Sequence, residues 1–88
     1  MIHDQLCDIL EKSIKTLAWF SLGEPIRLAE YLIIICGEYR NNHGKYRKPL
    51  EEAAFRTSNL LKRLHGQNVH VLAKELDKLI TKIHLETP

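Results

Sequence analysis

The sequence has little of what usually secures a small extracellular fold, and little of what marks a membrane protein. Only two cysteines occur in 88 residues, Cys7 and Cys36, each among apolar neighbours. Neither belongs to a CxxC or Cys/His ligand spacing, and one pair is a poor framework for a secreted domain. Both read as reduced core thiols, which implies a reducing, cytoplasmic compartment. The longest continuous apolar run, Leu32 to Cys36, falls far short of the ~20 residues a membrane span needs. An acid, Asp4, stands where a signal peptide would carry basic residues. Gly-rich phosphate loops, HExxH and GxSxG are all missing, so no cofactor, no metal and no enzymatic activity are expected. Internal repeats and low-complexity segments are missing as well.

What remains is helical periodicity in a chain long enough for one domain, residues 1–88. From Asp4 to Phe20, Leu6, Leu10, Ile14 and Leu17 recur on one stripe, with acids early and lysines late, the order the helix dipole prefers. Gly23 breaks the pattern within Ser21–Pro25, and Pro25 fits the first turn of a second helix ending near Tyr39 or Arg40. Its apolar positions include Ile26, Leu28, Ala29, Leu32, Ile33, Ile35, Cys36 and Tyr39, widened by Ile34. So broad a face predicts the most buried, central helix. Residues 41–48 read as a polar loop. Pro49 opens a third helix carrying Leu50, Ala54, Thr57, Leu61 and Leu64, with Glu51 and Glu52 in its first turn. Gly66 stops it. Asn68 is a good N-cap for a fourth helix with Val69, Leu72, Leu76, Leu79 and Ile83 at 3-4 spacing. The tail from Glu86 is expected to fray. Short connections between helices of similar length predict an all-α fold: a four-helix bundle or two packed antiparallel helical hairpins.

Charge is unevenly placed. The net charge is +2, too small to argue for nucleic acid by itself. Residues 1–38 hold three Lys/Arg against six acids, a balance of −3, whereas residues 39–88 hold ten against five, a balance of +5. The halves suit each other, a head-to-tail second copy, or an anionic ligand on the second half.

Three features are candidates for function, each with a plainer reading. The loop and its borders concentrate Arg40, His43, Lys45, Tyr46, Arg47 and Lys48; phosphate neutralisation needs such donors and an exposed tyrosine can stack on a base. A solvated loop has the same composition. On the fourth helix, Lys74, Lys78 and Lys82 recur every four residues as one basic strip, which is also how an ordinary solvent face looks. Trp19 and Phe55 fall away from the core stripes of their helices, as partner-binding anchors do, unless they fold back over the bundle. Arg63 and His70 have an Arg-x6-His spacing that resembles the motif of some helical toxin ribonucleases, but Gly66 interrupts it.

The expected function is therefore a small non-catalytic interaction module, an adaptor, inhibitor, immunity or regulatory protein. Trp19 and Phe55 would anchor a protein partner, while Arg40, Lys45, Tyr46, Arg47 and Lys48 would meet an acidic one. A homodimer is one version of this. The alternative is RNA or DNA binding through Arg40, His43, Lys45, Tyr46, Arg47, Lys48, Lys74, Lys78 and Lys82, and it ranks below a protein partner.

Overall fold

The computed structural model describes residues 1–20 and 23–86. Four helices form: α1 (Ile2–Ala18), α2 (Glu24–Asn41), α3 (Arg47–Arg63) and α4 (Gln67–Glu86). They pack as a four-helix bundle in which the closest pairs are the hairpins α1–α2 and α3–α4. Ser21, Leu22, Thr87 and Pro88 lie outside the described residues, and with them part of the expected break at 21–25 and the expected frayed tail.

The apolar stripes close over one core. Leu6, Leu10 and Leu17 of α1 meet Leu28, Leu32 and Tyr39 of α2, Leu50 and Leu61 of α3, and Leu76 of α4, all essentially without solvent exposure. The bundle is a flattened rhombus, 36 × 25 × 15 Å. α1 and α3 form its short diagonal and each touches all three other helices, whereas α2 and α4 do not touch. The expectation that α2 is central is thus corrected. Of Ile33, Ile34 and Ile35 only Ile35 is buried; Ile33 and Ile34 stand 58 % and 61 % exposed, because three consecutive helical residues fan over about 200° and cannot all face one core.

Boundaries shift too. α3 begins at Arg47, so the loop shortens to Asn42–Tyr46. Its first turn holds Arg47 and Lys48 and no acid. Pro49 lacks a backbone N–H, but any position in a first turn tolerates that, so the proline does not fix where the helix starts. Asn68 lies inside α4, which starts one residue earlier.

Buried side-chain polar atoms are all paired among the described residues. Ser13 Oγ donates to Ile9 O at 2.9 Å, Thr57 Oγ1 to Ala53 O at 2.7 Å, and Ser58 Oγ to the Asp77 carboxylate at 2.6 Å. Cys7 and Cys36 are free, buried and side by side across α1–α2; burial pushes both thiols up, which leaves little reactive thiolate.

Two glycines separate backbone strain from helix propensity. Gly66, in the α3–α4 turn, has φ +132°, and a Cβ there would meet only Val69 Cγ2 at 3.6 Å. Gly37 lies inside α2 with nothing within 4 Å of that position. Gly66→Ala is expected to destabilise by about 1–3 kcal/mol through its dihedral alone. Gly37→Ala is expected to stabilise by roughly 0.5–1 kcal/mol. Thermal melts of the two variants beside the parent measure both signs.

Candidate functional site

Ion pairing sorts the candidate residues into engaged and free. Arg40, expected to face a partner, donates from its guanidinium to Asp8 at 2.6 Å and Glu11 at 2.7 Å, so it ties α2 to α1. His43 stacks on the Tyr39 ring, centroids 4.7 Å apart, and Tyr39 O–H donates to Asp4 at 2.8 Å. Burial first, and that carboxylate second, push the Tyr39 phenol up to about 12. Tyr46 is half-buried against the core and hydrogen-bonds the Glu38 side chain, which raises its phenol. It is not the exposed stacking platform the sequence suggested, because its ring anchors the start of α3. Lys45 lies over that ring, 5.6 Å from its centroid. Within the expected basic loop, then, Lys45, Arg47 and Lys48 are the exposed cations without an ion pair to a described residue.

The same pairing consumes many of the acids. Besides Asp4, Asp8 and Glu11, Asp77 accepts from Ser58 and pairs with Lys62 at 2.9 Å. Glu51 lies 2.6 Å from His3 Nε2, and Glu24 pairs with Arg63 at 3.0 Å. The last contact gives Arg63 a structural tie between α3 and α2, and the Gly66 turn separates it from His70. Lys12, Lys15, Lys74, Lys78 and Lys82 are exposed and make no ion pair with a described residue.

Acid titration reads out two of these contacts. The Tyr39 hydrogen bond holds Asp4 below the ordinary carboxyl value of 3.8, and the Ser58 hydrogen bond holds Asp77 below it. As pH falls, the unfolded chain takes up these protons before the folded one does. The stabilisation is complete above the ordinary value and is lost as pH drops through the lower folded values. Ser58→Ala should therefore flatten the fall of the urea midpoint between about pH 5 and about pH 2, since it removes the main cause at Asp77.

Trp19 and Phe55 remain outside the core, 84 % and 57 % exposed. They do not share a patch. Phe55 lines a cavity of 470 Å³ between α3 and α4 with Lys48, Arg56, Ile80, Ile83 and His84. Trp19 lines one of 410 Å³ beside the α3–α4 turn, with Lys15, Thr16, Asn68 and Val69. Two more cavities follow along α1 and α4. One of 320 Å³ lies between Lys12, Thr16, Val71 and Leu72; one of 690 Å³ lies between Ile9, Lys12, Lys78, Leu79 and Lys82. They share Thr16, Asn68, Lys12 and Glu75 at their borders, so the three form one continuous groove.

That groove brings Lys78 and Lys82 together with Trp19's helix and adds Ile9, Lys12, Lys15 and Val71, which the sequence reading left unassigned. The loop lies at the α2–α3 corner and the lysine strip on α4. Lys48, at the start of α3, lines the Phe55 cavity with Ile80, Ile83 and His84 of α4, whereas Lys78 and Lys82 line the α1–α4 groove. Among the described residues there is no cluster of three or more metal-ligating side chains, and no helix long and apolar enough to cross a membrane. Compared with protein-family models, curated proteins and solved structures, the chain matches none of them significantly.

Proposed function

We propose that the chain is a small non-catalytic interaction module that works by covering part of a protein partner, as an adaptor, inhibitor, immunity or regulatory protein does. One observation carries this reading: the core closes without Trp19 and Phe55, so two aromatic side chains stay in water. Burying such a side chain yields about 1.5–3 kcal/mol, which this fold leaves uncollected and a partner would gain. Aromatic anchors of this kind dominate binding hot spots. Lys45, Arg47 and Lys48 are placed to steer an acidic partner, and a second copy of the chain is one such partner. A reducing, cytoplasmic location goes with two free, buried thiols.

RNA or DNA binding ranks second. Lys74, Lys78 and Lys82 support it, but the engagement of Arg40, His43 and Tyr46 within the fold leaves it a smaller footprint. A photo-crosslinking amino acid at position 19, or at position 55, in cells that make the protein distinguishes the readings. A discrete protein adduct at these positions, lacking when the probe sits at Asn41, is expected. A nuclease-sensitive adduct would transfer the function to nucleic acid, and no adduct at either position would remove the interaction reading.

A further inference from the structure

The groove between α1 and α4 has a shape, a floor and a charge, and together they specify what fits it. On α1 and at its C-cap, Gln5, Ile9, Lys12, Thr16 and Trp19 follow one another at spacings of four and three. On α4, Asn68, Leu72, Glu75, Leu79 and Lys82 do the same. The helices run antiparallel here, Trp19 lying near Asn68 and Ile9 near Leu79 and Lys82. Two such ridges with a valley between them are the surface onto which a further helix packs. From Gln5 to Trp19 the valley is about 21 Å long at 1.5 Å per residue.

Its floor is apolar. Ile9 is half-buried, Leu72 and Leu79 are 9 % and 7 % exposed, and Val71 and Trp19 stand out at the end near the α3–α4 turn. Its walls are cationic. Lys12, Lys15, Lys78 and Lys82 have no ion-pair partner among the described residues. The acids nearby are occupied: Asp8 by Arg40, and Asp77 by Ser58 and Lys62. Glu75 alone of the groove's acids makes no such contact with a described residue.

We infer that the α1–α4 groove binds an acidic amphipathic helix of a partner protein, its apolar stripe on Ile9, Leu72, Leu79 and Trp19 and its carboxylates on the flanking lysines. The inference rests on the reading of the chain as a protein-interaction module and names that partner's chemistry. A helix suits the site better than a polyanion does, because phosphates gain nothing from an apolar floor. It also suits the site better than a strand, because two helices offer no edge to pair with.

Trp19 is the chain's only tryptophan, so its fluorescence reports on the groove directly. The probe is a synthetic tryptophan-free peptide of about 18 residues, long enough to cover the valley, with leucines at spacings of three and four and glutamates elsewhere. Saturable binding with a blue shift of Trp19 emission is expected, with amide shifts in NMR spectra confined to α1 and α4. Lys78→Glu/Lys82→Glu, both fully surface positions that leave the core intact, should weaken binding at least tenfold. A version of the peptide with lysine for glutamate should not bind.

Equal binding by the lysine peptide, unchanged affinity in the double variant, or shifts centred on Phe55 would each overturn the inference. So would polyuridylate binding the groove more tightly than the acidic peptide, with a steep salt dependence. If cells yield a protein adduct at position 19 or 55 while the peptide ignores the groove, the interaction reading stands and only the acidic-helix class falls. If both fail, both fall.

Discussion

Leu10→Ala is expected to cost about 2–5 kcal/mol of folding stability, the largest effect of a single substitution here. Leu10 is fully buried on one of the two helices that touch all three others, so no neighbour can move in on the cavity without disturbing a second interface. The loss is large against the total. At roughly 0.05–0.15 kcal/mol per residue, a chain of this length is stable by roughly 4–13 kcal/mol. Ile34→Ala gives the contrast. Ile34 is just as apolar, but at 61 % exposure its truncation should change stability by less than about 0.5 kcal/mol. Urea denaturation separates the two: the Leu10→Ala midpoint should fall steeply with an unchanged slope, and the Ile34→Ala midpoint should hardly move. A cost below about 1 kcal/mol for Leu10→Ala would mean that α1 is not the hub of the core.

That same pair of residues shows where the sequence is legible. α1 and α4 carry one stripe each, and the stripe is what the core uses, so their buried faces follow from periodicity alone. α2 carries a broad apolar face, and breadth alone does not say how deeply a helix is buried. Which third of it faces inward depends on α1 and α3, and a local pattern carries no record of them. The loop is shorter than its composition suggests for a related reason: Arg47 and Lys48 look like loop residues, but Tyr46 packing on the core starts the helix ahead of them.

The candidate site divides in the same way. Trp19 and Phe55 were found because displacement from a stripe is a local signal, and the structure leaves both exposed. The state of the charges was not local. Arg40 meets Asp8 and Glu11 from 32 and 29 residues away, and Arg63 meets Glu24 from 39. Charge counted along the chain therefore does not distinguish the paired Arg40 from Lys12 and Lys15, which make no ion pair with a described residue. The α1–α4 groove did have a signal, the four-three spacing of both its ridges. Lys12, Thr16 and Glu75 interrupt the apolar residues there, which hides the ridges from a search for hydrophobic periodicity.

Trp19→Ala and Phe55→Ala should invert the pattern set by Leu10. Each truncation removes a side chain that the folded chain already leaves largely in water, so each should change the unfolding free energy read by urea denaturation by no more than about 0.5 kcal/mol. Against a partner that buries them, the same truncations should cost about 2 kcal/mol apiece, roughly 30-fold in affinity. The two need not fail together. Trp19 lines the α1–α4 groove and Phe55 the α3–α4 cavity, so a partner seated on one side of α4 should feel one truncation and ignore the other. A partner that wraps α4 should feel both. Light scattering behind size exclusion, at low and moderate salt, applies the same logic to self-association. A dimer that resists salt and is lost in the double variant would make these aromatics a contact between copies, whereas a monomer in every condition leaves them to a different protein. The result that would break the link between exposure and binding is a loss of several kcal/mol of stability in either truncation. That would place the side chain in the fold's own packing and remove it from the partner surface.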